Sequence, residues 1–140
     1  ESKQNQAVVD FGNYIGRAFQ IRDDFLGIWG DAATTGKTTS GDIEQRKKSL
    51  PIVIAFEDAR GASADELLRI YSPDNKEELS DNDIEIVRMV LDGVKAAERC
   101  QLLTEQSSEN ALTALNSLDF SSWAVTEAKD LVNFLSTREF

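Results

Sequence analysis

The sequence predicts an all-α chain, and three features carry that prediction. Only two prolines, Pro51 and Pro73, interrupt its 140 residues. Apolar residues recur at spacings of three and four through most of the chain, the period of one helix face. The one conspicuous β-branched run, LPIVIAF from Leu50 to Phe56, has no partner strand elsewhere. A lone strand cannot satisfy its own backbone groups.

Taken in order, Val8, Phe11, Tyr14, Ile15, Ala18, Phe25 and Trp29 mark a first helix from about Gln6 to Trp29. Ala32 to Gly41 is small and polar and reads as a loop. Leu50 to Phe56 then reads as a buried helix, with Ser49 as its cap and Pro51 in the first turn, where proline is tolerated. Gly61 ends it. Ala64 to Tyr71 reads as a short helix capped by Ser63, and Ser72-Pro73-Asp74-Asn75 as a turn.

Ser80 caps a long run with Asp83 in its first turn, and Ile84, Val87, Val90, Leu91 and Val94 form its apolar face. Gly93 kinks or divides that run. The pattern resumes through Cys100, Leu103, Ala111, Leu115 and Leu118, and breaks at Asp119 to Ser122. A last helix carries Trp123, Ala128, Leu131, Phe134 and Leu135. No repeat divides the chain, so residues 1–140 read as a single all-α region.

Composition narrows the function. Lys and Arg number 15 against 25 Asp and Glu, a net charge of −10. Nonspecific nucleic-acid binding needs a basic footprint, so this balance argues against it. Histidine is absent, which removes Ser-His-Asp and Cys-His nucleophilic schemes and any histidine-ligated metal. The single cysteine, Cys100, has no internal disulfide partner and reads as a buried helix residue. No apolar run approaches the ~20 residues of a membrane span, and no signal peptide is visible. The expectation is a cytoplasmic protein. Because the chain opens on Glu1 rather than methionine, it reads as cut from something longer.

The chemically richest stretch is Phe19 to Lys48. On a helical wheel with Gln20 at zero, Gly16, Asp23, Asp24 and Gly27 fall within about 60° of it. Phe11, Ala18, Phe25 and Trp29 fall opposite, and Arg22 is an exception on the apolar side. By itself such a stripe reads as a solvated face, since acidic pairs are common on helices. Its glycines point the other way: each costs ~1 kcal/mol in an exposed helix and tends to mark the close approach of something. An acidic pair followed by spaced lysines suits a diphosphate bridged by a divalent cation.

In sequence order this stretch reads Phe19-Gln20, Asp23-Asp24, Gly30-Asp31, Thr35-Gly36-Lys37, Gly41-Asp42-Ile43, Lys47 and Ser49-Leu50-Pro51. It resembles the second aspartate-rich region of the trans-isoprenyl diphosphate synthases, also called polyprenyl synthetases. Two departures stand out. Gly27 replaces the third aspartate of the DDxxD pattern, with Asp31 one turn further on, and the family's first aspartate-rich motif is absent. Over residues 60–138 the likeness is only one of helical pattern and of a C-terminal helix ending near an arginine, Arg138.

The resemblance implies the helical bundle of the isoprenoid synthase fold, of which this chain would be the C-terminal part. It also implies an enzyme, a trans-prenyltransferase that joins an allylic diphosphate to isopentenyl diphosphate. Asp23 and Asp24 would ligate Mg²⁺, Lys37 and Lys47 would pair with diphosphate oxygens, and Gln20 would line the reacting end of the allylic chain. Asp42 would orient Lys37 or a metal-bound water. No residue would act as a proton-transfer catalyst. Without its first motif the chain alone should be inactive, and its uncovered apolar faces should favour a homodimer or association with the missing N-terminal half. The alternatives are a non-catalytic helical subunit that tunes a catalytic homologue, and a terpene cyclase-like protein.

Overall fold

The computed structural model describes residues 2–30 and 40–139, and every described element is helical. The elements are α1 (Ser2–Trp29), α2 (Gly41–Glu44), α3 (Leu50–Asp58), α4 (Ala62–Ile70), α5 (Asp81–Gly93), α6 (Ala96–Asn116) and α7 (Ser122–Thr137). The fold class is therefore all-α, and LPIVIAF is helical. Lys37, with Asp31, Thr35 and Gly36, lies outside the described residues.

The chain divides into two compact units. The first takes residues 1–23 and 101–138, the second residues 24–100 with 139–140. In the first unit Ala7, Leu115 and Leu118 form a buried cluster, with Phe11, Leu112, Val125 and Ala128 packed against it. In the second, α5 packs on α2, α3 and α4, and α3 packs on α4. Ile28, Ile43, Ile52, Leu67, Ile70, Val87 and Leu91 are all fully buried there.

Several expected boundaries shift. The first helix starts at Ser2, a turn before Gln6. α3 ends at Asp58, and Gly61 instead begins α4 as its N-cap residue, with φ of +58°. That left-handed conformation suits glycine, which has no Cβ to clash. Ser63 accordingly lies inside α4 and does not cap it. Asp92-Gly93 does end α5, but the positive φ falls on Lys95 (+55°), just before α6.

The Ser80 cap forms in full. Ser80 Oγ accepts the Asp83 N–H at 3.1 Å, and Asp83 Oδ2 accepts the Ser80 N–H at 3.3 Å. Hydrogen bonds from Arg69 and Ser80 hold the Asp83 carboxyl below its usual range.

The buried face of α7 is the expected one only at Ala128. Val132 is buried, whereas Trp123, Leu131 and Phe134 are 72%, 48% and 48% exposed. The helix carries two apolar stripes, and Val125, Ala128 and Val132 face the packed side at helical spacing. Val8 and Leu103 are likewise on exposed faces.

Cys100 is buried, as its helical position suggests. Burial, and secondarily the Asp24 charge, pushes its thiol up to about 11. The reactive thiolate is therefore scarce at neutral pH. Iodoacetamide labelling of Cys100 should track global unfolding across a urea titration, and rapid labelling of the native chain would contradict this burial.

Candidate functional site

The residues singled out by the sequence are positioned by the C-terminal third of α1 and by the segment from α2 to the start of α3. Each unit holds its own part. In the second unit Asp24 is 7% exposed and lies on the buried side of α1 with Leu26, Gly27 and Ile28. This corrects the wheel reading, which set Asp24 and Gly27 opposite the apolar residues. Buried acids must be satisfied, and Asp24 is. Its Oδ1 accepts a hydrogen bond from Lys47 Nζ at 3.1 Å, and its Oδ2 accepts the Leu50 N–H at 2.9 Å.

The second of these bonds replaces the expected serine cap. Ser49 stands at the N-cap of α3, but its side chain makes no cap hydrogen bond, and its hydroxyl oxygen has no partner among the described residues. The first backbone donor of α3 points instead at the Asp24 carboxylate. That satisfies an orphan N–H and places negative charge at the positive end of the helix dipole.

Lys47 Nζ also lies 3.3 Å from Asp42 Oδ2, close enough to pair but too oblique for a hydrogen bond. One ammonium thus bridges carboxylates from two elements. Burial works against the Lys47 charge, but Asp24 and Asp42 outweigh it and hold the ammonium above its usual pKa. Its side chain is 40% exposed, and no acceptor other than Asp24 and Asp42 is found for it among the described residues. An ammonium has three N–H donors, so donor capacity remains on the open side.

The backbone that delivers Lys47 is pinned on both sides. Arg46 adopts φ of +49°, and its guanidinium donates to the carbonyls of Ile70 (2.8 Å) and Glu77 (2.6 Å). Upstream, buried Ser40 receives Arg88 Nε at 2.8 Å on its hydroxyl. Tyr71 is buried edge-on to Phe56, and burial together with the Asp42 charge raises its hydroxyl.

In the first unit Asp23 is partly exposed, with Arg138 Nη2 3.7 Å from its Oδ1. The Arg138 guanidinium also sits 4.4 Å over the Phe19 ring, a cation–π contact. Arg22, the exception on the wheel, donates its Nε to the Arg138 carbonyl at 2.8 Å. Gln20 is exposed on α1. The Arg138 contacts had no signal in the sequence beyond a lone arginine near the C-terminus.

Among the described residues no three His, Cys, Asp or Glu side chains gather as a ready-made cation cage. What does gather is a pair of hard-oxygen donors, Asp24 and Asp42, on one cationic nitrogen. Carboxylate oxygens are the hard donors that Mg²⁺ takes, commonly one or two of them together with substrate phosphates rather than an all-protein cage.

The polyprenyl synthetase family profile matches residues 1–89. A geranylgeranyl diphosphate synthase of Mycobacterium tuberculosis is 45% identical over 65 residues, which cover 46% of this chain and 18% of that protein. The crystal structure of a polyprenyl synthetase from Streptomyces coelicolor A3(2) superposes with a TM-score of 0.85 at 30% identity, covering 96% of this chain and 41% of that one. A Corynebacterium glutamicum geranylgeranyl pyrophosphate synthase, complexed with isoprenyl diphosphate and magnesium, gives 0.82 at 26% identity, covering 95% and 37%. The chain thus spans well under half the length of each of these proteins. By sequence and by fold, it belongs to the polyprenyl synthetase family.

Proposed function

We propose that this chain supplies the second aspartate-rich half of a trans-prenyltransferase site, one that joins an allylic diphosphate to isopentenyl diphosphate. The observation that carries the reading is Lys47, held between Asp24 and Asp42 with its ammonium partly open. Such a group is charged, oriented in advance and still able to donate to a phosphate oxygen. Preorganised donors of this kind stabilise charge that develops on a departing pyrophosphate, without reorganising during reaction.

In this reading Asp23 and Asp24 hold Mg²⁺ and Lys37 shares the phosphate charge with Lys47. Gln20 lines the allylic end. The metal, when bound, supplies Lewis-acid charge on the diphosphate. No step asks a side chain of this chain to move a proton. The segment's task is to bind, orient and neutralise. The sequence holds no first aspartate-rich motif, so turnover needs that motif from outside these residues.

Calorimetry of the 140-residue chain with geranyl diphosphate tests the reading. Binding should require Mg²⁺ and should weaken at least tenfold in Lys47→Met. Absence of binding, or Mg²⁺-independent binding that Lys47→Met leaves unchanged, would overturn it.

A further inference from the structure

Three described residues other than glycine carry a positive φ, and two of them bracket α2: Ser40 at +66° before it and Arg46 at +49° after it. The left-handed conformation crowds a Cβ against the backbone, so any residue that has one resists it. Strain of this kind persists only where the surroundings over-determine it, and it gathers at working sites. Between the two strained residues lies Asp42, and directly after them comes Lys47.

An arginine fastens each end. Upstream, the Arg88 guanidinium of α5 donates through both Nε, at 2.8 Å, and Nη2 to the buried Ser40 hydroxyl. That hydroxyl makes no cap bond to α2, and no carboxylate among the described residues pairs with Arg88. Downstream, Arg46 holds itself: its own guanidinium reaches the Ile70 carbonyl at the end of α4 and the Glu77 carbonyl in the stretch leading to α5. Backbone bonds close the turns inside the bracket, from the Ile43 N–H to the Ser40 carbonyl and from the Lys47 N–H to the Asp42 carbonyl, each at 2.9 Å.

We propose that Arg46 and Arg88 are positioning residues for this site. They hold two left-handed residues in place, and with them the direction from which the Lys47 ammonium meets Asp24. Each acts through the turn that it fastens and not on a ligand. What the segment binds rests on the diphosphate reading, whereas the fastening of the two turns does not. A glycine enters the left-handed conformation unaided, so glycine at a strained position should leave its arginine without a task.

Amide hydrogen exchange on the 140-residue chain, together with titration of inorganic pyrophosphate in excess Mg²⁺, tests this. Arg88→Gln should lower protection of the Ile43 amide about tenfold more than that of Leu91, fully buried in α5. It should also weaken pyrophosphate binding about tenfold. Arg46→Met should do the same at the Lys47 amide. Ser40→Gly added to Arg88→Gln, or Arg46→Gly in place of Arg46→Met, should return protection and affinity to within about threefold of the parent. Ser40→Ala removes the Arg88 contact from the other side and leaves the charge in place. It should match Arg88→Gln, and the two together should be no worse.

A loss at Leu91 as large as that at Ile43 would make Arg88 a general stability contact and overturn the proposal. So would Arg46→Gly as unprotected as Arg46→Met, or parent-like protection in Ser40→Ala, which decides the upstream end should Arg88→Gln not fold. Lost protection with unchanged pyrophosphate affinity would overturn it too, because the turns would then be held without serving the site. If the parent itself bound no Mg²⁺–pyrophosphate, the diphosphate reading would fall, and the exchange rates alone would decide whether the arginines hold the turns.

Discussion

Asp24→Ala is expected to lower the melting midpoint of the chain by about 8 °C, while Asp24→Asn should lose only about a quarter as much. The reason lies in the two jobs of one buried carboxylate. Its Oδ2 accepts the Leu50 N–H at 2.9 Å. Alanine leaves that donor buried and without its partner, at a cost of about 1–3 kcal/mol. Its Oδ1 pairs with Lys47, whose side chain is 40% exposed. Water can rehydrate that ammonium, so the ion pair adds well under 1 kcal/mol.

A total of about 2–3 kcal/mol converts to roughly 8 °C for a chain of this size. Asparagine keeps a neutral acceptor for Leu50 and loses only the charge. Circular dichroism melts of the three chains measure the difference. Equal losses in Asp24→Ala and Asp24→Asn would mean that the charge, not the helix cap, is what α3 depends on. One consequence concerns activity assays: a loss of turnover in Asp24→Ala mixes fold with chemistry, and only Asp24→Asn separates them.

The sequence pattern exposed one side of this arrangement and hid the other. Asp24 and Lys47 stood out in the sequence because acids and lysines at this spacing suit a metal-bridged diphosphate, but nothing in it announced their direct ion pair. The helical wheel, however, reports direction around one helix and is blind to what covers it. It put Asp24 and Gly27 on a polar stripe, whereas the α2–α3 segment closes over that side and buries both. Ser49 looked like a cap because serine before a proline-bearing first turn is a common start signal. Nothing local reveals that an acid 26 residues upstream accepts the Leu50 N–H instead.

The same limit explains α7. Trp123, Leu131 and Phe134 are as apolar as the residues that are buried, and periodicity cannot rank two apolar stripes on one helix. The helices themselves were legible because spacing, caps and breakers are local signals. Gly27 read as a missing acid, and only the approach of Asp42, whose carboxylate occupies the place a Cβ there would take, gives its bareness a physical cause.

Lys47→Met is expected to have the largest effect on chemistry. In a polypeptide that carries both aspartate-rich motifs, steady-state turnover should fall about 100-fold, the usual loss on removing one preorganised donor from developing charge. Lys47→Arg should recover only part of it, because a planar guanidinium does not reproduce a compact ammonium held by two carboxylates. The substitution also changes the resting state. Without the ammonium, the Asp24 and Asp42 carboxylates that now lie within 3.3 Å of one nitrogen would face each other uncompensated. Lys47→Met should therefore melt lower than the parent at neutral pH and gain more from added Mg²⁺ than the parent does.

The pH dependence follows from the raised Lys47 pKa. A group whose folded pKa lies above its unfolded value stabilises fully below the unfolded value, here 10.5, and loses that contribution only as pH rises through the folded one. The stability difference between the parent and Lys47→Arg should accordingly show no lysine titration below about pH 10. A titration near neutrality would place Lys47 outside the two-carboxylate clamp. It would also remove the charged, open ammonium on which the prenyl-transfer reading stands.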